Sequence, residues 1–437
     1  MVKPARVKTR PIPAWVKLDN AAKIYPSTAS NSWMAIYRLS VTLDEEISRP
    51  MLRLALQATL KRIPLFSYRL KRGLFWFFME SQSGKVPKIQ EDVVNPCVPI
   101  NLRQNDHFMF RIRVHGGRIA LELFHAMADG TGAMTFLLTL AAEYLRLRYG
   151  RRILPAPFIL DCRDDPQPQD WEDSFPKYAR MSARGRSEEP AYPLRGTREG
   201  KDFLHVTTGI IPTAQLALAA KRHDTTINTL LAAIILRALL NISAKDRSPR
   251  RAKRPIKLSM PVNLRKYYPS KTLRNFSSYI NAPIYPQYGT YTLDDIITLV
   301  KHYAGYELTE QMLNARFSGN VRAEQSKLLR AAPLFLKSAV LKLVYLLQGE
   351  RYFTTVLSNL GLIKLPEQMA QHVTRIDVII GGGKHNPISC GCVSVNGKTF
   401  LTFTRTIIEP TLEQLVFTAL VKEGVHVTIE SNRRTES

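Results

Sequence analysis

His125 and Asp129, in the stretch Leu123-Phe124-His125-Ala126-Met127-Ala128-Asp129-Gly130, are the residues whose types and spacing point most directly to chemistry. A histidine has an unperturbed pKa of about 6.5, so near physiological pH it is neutral and can take a proton from an attacking hydroxyl. The carboxylate four positions on does not become a triad partner by sequence proximity alone; its simpler use is to hold the neighbouring backbone. Gly130 suits a sharp turn into whatever element follows. Nine histidines occur in the chain, and a histidine in a half-apolar segment is more often structural than catalytic. The surrounding elements therefore have to carry the argument.

Those elements read as a rigid frame. Arg118 to Phe124 alternates with the period of a half-buried strand, and Phe108 to Val114 alternates before it. Gly116-Gly117 lies between the two runs, so they form a β-hairpin. From Thr131 to Arg148 the pattern becomes helical, with Arg146 and Arg148 in the last turn and Gly150 as the stop. His125 thus sits where a strand ends and a loop opens. Val395-Asn396-Gly397-Lys398 predicts a second tight hairpin. Cys390-Gly391-Cys392 reads as two strand residues on one face, because no second pair stands at metal-ligand spacing. Gly381-Gly382-Gly383-Lys384 lacks the spacing of a phosphate loop and reads as a loop between strands.

The 437 residues exceed what one core usually organises, so two subdomains are expected: 1–155 with the histidine motif, an irregular linker at 156–200, and 201–437. Leu154 to Gly196 holds seven of the 27 prolines and reads as a long surface connection. Hydrophobic residues at 45% and charged residues at 22% are globular values that argue against disorder. Four scattered cysteines, Cys97, Cys162, Cys390 and Cys392, make no disulfide framework and fit a reducing compartment. Met1 to Pro13 is basic without an apolar core, and no apolar run spans a bilayer, so a cytoplasmic location is expected. The tail from Ser431 to Ser437 is expected to fray.

The net charge is +26, and Lys245 to Lys257 carries seven basic residues against one acid. Two readings stay open: a solvated loop, or attraction of an anionic partner such as coenzyme A phosphates, an acidic carrier protein or a membrane surface. Nucleic acid is disfavoured, since no recognition helix, zinc module or aromatic platform accompanies the charge. Ser326 to Gly349 is leucine-rich and basic. It is expected to be a core helix interrupted near Pro333; an interfacial membrane helix is the alternative.

The His-x-x-x-Asp-Gly motif at a strand–loop–helix junction resembles the active site of the acyltransferase superfamily with the chloramphenicol acetyltransferase fold. That superfamily includes plant ester-forming (BAHD-type) acyltransferases, nonribosomal peptide condensation domains and bacterial alcohol acetyltransferases. Further landmarks follow in order: Pro50 to Tyr68, Leu216 to Leu240, Met260-Pro261-Val262-Asn263-Leu264-Arg265 with Asn275-Phe276, and Ser358-Asn359-Leu360-Gly361. They run from about Trp15 to Ile408, nearly the whole chain. The opening Trp15-Val16-Lys17-Leu18-Asp19-Asn20-Ala21-Ala22 looks most like the bacterial alcohol acetyltransferases. Condensation domains usually carry two adjacent histidines; here the first position is Phe124, which tilts the reading towards O-acyl transfer.

The resemblance implies an α/β (α+β) chain of two chloramphenicol-acetyltransferase-like subdomains, each a mixed sheet flanked by helices, with the active-site tunnel between them. It implies His125 as general base, and Asp129 turned from the substrate to pair with an arginine, with Arg265 the candidate. Ser358 and Asn359 are candidates for oxyanion or substrate binding by motif position. No metal and no permanently bound cofactor are implied. Acyl-CoA would be the co-substrate, an alcohol the acceptor, and the chain a monomer. The alternatives are a carrier-protein-dependent, amide-forming condensation enzyme and a non-catalytic basic binding protein of the same fold.

Overall fold

A computed structural model of the chain describes residues 12–180, 188–200, 203–347, 349–383 and 385–433. The basic start at 1–11, Lys384 and the tail beyond 433 lie outside the described residues, and with them the expectations for those positions.

Two sheets build two lobes. The first is five-stranded, in the order Val373–Ile380, Ile36–Leu43, Arg118–Phe124, Phe110–His115, Ile89–Glu91. The expected hairpin is its centre, with Phe110 opposite Leu123 and His115 opposite Arg118. The helices Arg49–Arg62 and Gly130–Tyr149 pack against each other and on this sheet. The second sheet has seven strands: Ser277–Ile284, Ile256–Asn263, Thr355–Leu362, Ile388–Val395, Lys398–Arg405, His205–Pro212 and Thr428–Ser431. Thr355–Leu362 runs parallel to both its neighbours and the other pairings are antiparallel, so this sheet is mixed. Helices Ile227–Ser243, Leu293–Glu307 and Thr411–Lys422 bury their apolar faces in its core. A small third sheet joins Trp15–Lys17, Phe77–Ser81 and Tyr68–Arg72.

Local chemistry explains the elements around the histidine. Asp129 caps the helix Gly130–Tyr149 by accepting from the Gly132 amide at 3.0 Å. Gly150 ends it in the left-handed conformation, φ 66°. Asn396 and Gly397, φ 46° and 76°, make the expected turn between Ile388–Val395 and Lys398–Arg405. Cys390 and Cys392 lie buried on that strand, as read from the sequence.

Several expectations are corrected. Val373–Ile380 belongs by sequence to the second half, yet it pairs with Ile36–Leu43 and forms the edge of the first sheet. Gly391 permits the crossing: a Cβ there would stand 2.3 Å from the Val378 carbonyl oxygen. The strand Arg118–Phe124 is not half-buried but enclosed on both faces. Its polar Glu122 is fully buried and meets Arg38, Arg111 and Arg113, with the Cys97 amide donating to it at 2.9 Å. The irregular linker is not purely superficial. Phe175 is buried in a cluster with Phe276 and Phe317, and Asp170 pairs with Arg62 at 2.7 Å in the interior. Finally, the leucine-rich segment breaks at Pro333 as expected, but in the helix Leu334–Leu347 only Leu334 among the described leucines is buried, while Phe335, Leu336, Val340 and Leu343 are exposed.

Candidate active site

The strand Arg118–Phe124 delivers His125 to the seam between the lobes. Its amide donates to the Ala35 carbonyl at 2.9 Å, which extends the pairing of the neighbouring strand by one step and fixes the backbone. Phe124, the position before it, is buried in the core and takes no part in the site. Two tyrosines flank the imidazole. Tyr25 stacks on it, ring centroids 4.8 Å apart at 23°, and Tyr37 lies tilted at 4.9 Å. The Tyr37 hydroxyl donates to the Ala128 carbonyl at 2.9 Å and so pins the loop between His125 and Asp129.

The proton on the imidazole can be assigned from one side chain, Asn275. Its Nδ2 faces two acceptors, Asp19 Oδ2 at 3.2 Å and the His125 carbonyl at 3.1 Å. That leaves its Oδ1, an acceptor, 3.1 Å from His125 Nδ1. Nδ1 must therefore carry the hydrogen, and Nε2 holds the free lone pair. Among the described residues nothing hydrogen-bonds Nε2. Burial lowers the imidazole pKa below its ordinary value, against the opposing pull of its own carbonyl, Asp129, Asn275 and Asp19. The neutral, base-competent form is thus the resting form at neutral pH.

Asp19 is completely buried, and burial raises its carboxyl above the usual range despite Arg274, 3.5 Å away, and the Ala22 amide. Asp129 is likewise enclosed. It accepts from Arg265 Nη1 at 2.8 Å and Nη2 at 3.3 Å, and from the Phe276 amide at 2.8 Å. Arg265 uses its remaining donors on the carbonyls of Thr272 and Arg274, at 2.9 and 2.6 Å. The guanidinium fork therefore ties the histidine loop of one lobe to the chain that follows strand Ile256–Asn263 of the other. The pairing of Asp129 with Arg265 that the resemblance implied is present in the structure.

Gly130 stands at the helix start, but its φ is not left-handed. The reason for glycine is proximity: a Cβ there would come within 3.2 Å of Leu360 Cδ2. Gly132, which the motif as read did not include, is tighter still, with the Leu273 carbonyl oxygen 1.9 Å from where its Cβ would be. Ser358 and Asn359 lie on Thr355–Leu362, the strand that brings Leu360 to Gly130. The Asn359 amide is engaged with Asn228 at 3.1 Å and the Gly361 nitrogen at 2.8 Å. Among the described residues no hydrogen bond joins Ser358 or Asn359 to His125.

This two-lobed arrangement occurs in solved structures. Polyketide synthase associated protein 5 from Mycobacterium tuberculosis superposes with a TM-score of 0.58 at 15% identity, over 92% of this chain and 96% of that one. A trichothecene 15-O-acetyltransferase from Fusarium sporotrichioides gives 0.58 at 11% identity, over 94% of both chains. The starter condensation domain of rhizomide synthetase, solved with C8-CoA and Leu-SNAC, gives 0.58 at 12%, over 94% and 95%. The chain has the chloramphenicol acetyltransferase-like, condensation-domain fold. No family model and no curated protein matches the sequence. In this chloramphenicol acetyltransferase-like frame, the site is built from both lobes. His125 and Asp129 come from the first sheet's hairpin and helix, Arg265 and Asn275 from the second lobe, and Asp19 from the opening segment.

Sequence reasoning missed Asp19, Asn275, Tyr25 and Tyr37 as site members. Asn275-Phe276 and the opening segment stood out only as landmarks, and nothing near Tyr25 or Tyr37 in sequence signals contact with a histidine. Among the described residues, no group of three or more His, Cys, Asp and Glu is arranged to hold a metal.

Proposed function

We propose that this chain transfers an acyl group from a thioester to an oxygen nucleophile, with His125 as general base. The observation that carries the reading is the Asn275 amide, which fixes hydrogen on Nδ1 and leaves Nε2 of a neutral imidazole free. An alcohol is a poor nucleophile at neutral pH, so Nε2 takes its proton as the oxygen attacks the thioester carbonyl. The resulting imidazolium returns that proton to the departing thiolate, and the base is restored. General-base catalysis of this kind is typically worth about 10²–10⁴ in rate. Ser358 and Asn359 remain the proposed donors to the developing oxyanion, Asp129 and Arg265 the clamp that positions the loop, and Gly130 the opening of its helix.

A cavity of about 1160 Å³ whose lining includes Arg195, Arg198, Arg254 and Arg351, alongside Glu199 and Glu350, but not His125, is a candidate place for the donor's phosphate. Guanidiniums in the lining suit the phosphate that coenzyme A and carrier-bound pantetheine have in common. A second reading, carrier-dependent condensation with an amine acceptor, is favoured by the number of condensation domains among the solved structures of this fold. They weigh towards this alternative more than towards an alcohol acetyltransferase. Against it stands Phe124, packed in the core where a second histidine would be.

The test is a cross of donors and acceptors: acetyl-, octanoyl- and palmitoyl-CoA and the same acyl groups on a carrier protein, each with alcohols and amines. Ester formation from coenzyme A supports the main reading. Amide formation restricted to carrier thioesters supports the second. No product with any pair overturns both.

A further inference from the structure

The helix Leu334–Leu347 is inside out. Its inward face presents Lys337, only 2% exposed, whose ammonium donates to the carbonyls of Phe75 at 3.0 Å and Arg330 at 3.3 Å. The same ammonium lies 3.8 Å over the Trp76 ring. Ser338 also has an inward hydroxyl, buried without a partner among the described residues. The outward face presents Phe335, Leu336, Val340 and Leu343, each half exposed or more. Their spacing puts them on one stripe. Lysine ordinarily carries its charge to water and leucine ordinarily turns from it, so this arrangement is reversed for a helix facing solvent.

The stripe does not stand alone. The turn between Tyr68–Arg72 and Phe77–Ser81 lies beside it, joined by the Leu334 amide donating to the Leu74 carbonyl at 2.8 Å. That turn exposes Leu74 at 73%, together with Phe75. Six large apolar side chains are thus exposed on two adjoining elements. The local charge is mainly positive: residues 326–347 contain Lys327, Arg330, Lys337 and Lys342 and no acid, and Arg69, Lys71 and Arg72 precede the turn, where Glu80 pairs with Arg69 and Lys71.

We propose that the helix Leu334–Leu347 and the Leu74–Phe75 turn dock this protein on an anionic lipid surface. An apolar stripe flanked by cations is the chemistry of a helix lying in the headgroup region. A second copy of the chain is the poorer occupant, because a self-complementary contact would bring the same cations together on a molecule of net charge +26. Among the described residues no single helix is long and apolar enough to cross a membrane, so the contact is peripheral. The docked helix also packs on the helix Ile24–Thr28, whose Tyr25 stacks on His125. Its Tyr345 lies 5.6 Å, ring to ring, from Trp33. If the acyl-transfer reading holds, the surface places the site beside a reservoir of apolar chains.

The test is co-sedimentation of the full chain with vesicles of phosphatidylcholine alone or with a third of phosphatidylglycerol, at low and high salt. Binding is read without turnover, so its outcome is separate from the outcome for the enzymatic reading. The expected result is binding that needs phosphatidylglycerol and falls with salt. It should weaken about tenfold or more in Leu336→Glu/Val340→Glu and, on a different element, in Leu74→Glu. Thermal unfolding of each variant checks that the fold persists. Absence of vesicle binding by the wild type, or undiminished binding by both variants with their folds intact, overturns the proposal. So does a dimer in light scattering that the glutamates dissolve while vesicles are ignored.

Discussion

At the scale of single residues, Asn275 matters as much as His125, because it decides which imidazole nitrogen is free. Under the proposed mechanism neutral His125 is the active form, so activity should disappear as pH falls through its pKa. Burial holds that pKa below 6.5, so the acid limb of the kcat/KM profile should lie below pH 6.5. In Asn275→Asp a carboxylate would face Nδ1, stabilise the imidazolium and raise the pKa. The acid limb should then move to higher pH, and a profile that stays in place would contradict the assignment of Nδ1 as donor. The Asp129–Arg265 contact was anticipated because the resemblance implied it and both residues sit among its landmarks. Asn275 and Asp19 were not: their contact joins positions 256 apart, and neither has a neighbouring pattern that marks it as part of a site. Gly132 escaped for a related reason. Its need for glycine comes from the Leu273 carbonyl of the other lobe, not from its own backbone angles.

At the scale of elements, periodicity revealed which segments are strands but not what covers them. Arg118–Phe124 alternates like a strand with one wet face, yet the face bearing Glu122 is covered by the 92–98 stretch and lined with guanidiniums. Burial alone would raise the Glu122 carboxyl, but Arg111 and Arg38 hold it below the usual range. Glu122→Gln would leave several guanidiniums short of their counterion, and breaking such a buried pair costs about 3–5 kcal/mol. The denaturant midpoint should fall accordingly; a loss within error would show the network to be dispensable. The helix Leu334–Leu347 teaches the converse. Its leucines read as core from composition, while its orientation depends on Lys337 finding the Trp76 ring and the Phe75 carbonyl, far away in the chain. Segments whose partners are local, such as the Asn396-Gly397 hairpin, were read correctly in type and place.

At the scale of the whole molecule, the two lobes are held in register by a few directed contacts around the site. The crossing strand Val373–Ile380 is one, and it blurs the boundary that composition drew near residue 200. The Arg265 fork is another. Arg265→Lys keeps the charge but cannot serve both Asp129 oxygens and the carbonyls of Thr272 and Arg274 together. Hydrogen bonds to charged groups are worth about 1.5–3 kcal/mol each, so stability should drop by that order. Because the loop that aims His125 loosens, kcat should fall more than KM rises. An unchanged kcat would mean that the loop keeps its place without the clamp. The central claim concerns the base itself. Its most direct measurement is thiol release from acyl thioesters, in the presence of an acceptor that the wild type uses, by wild type and His125→Ala side by side. The account predicts steady release by the wild type and a loss of about 10²-fold or more in the variant, with the fold intact. Equal rates in the two proteins would contradict it.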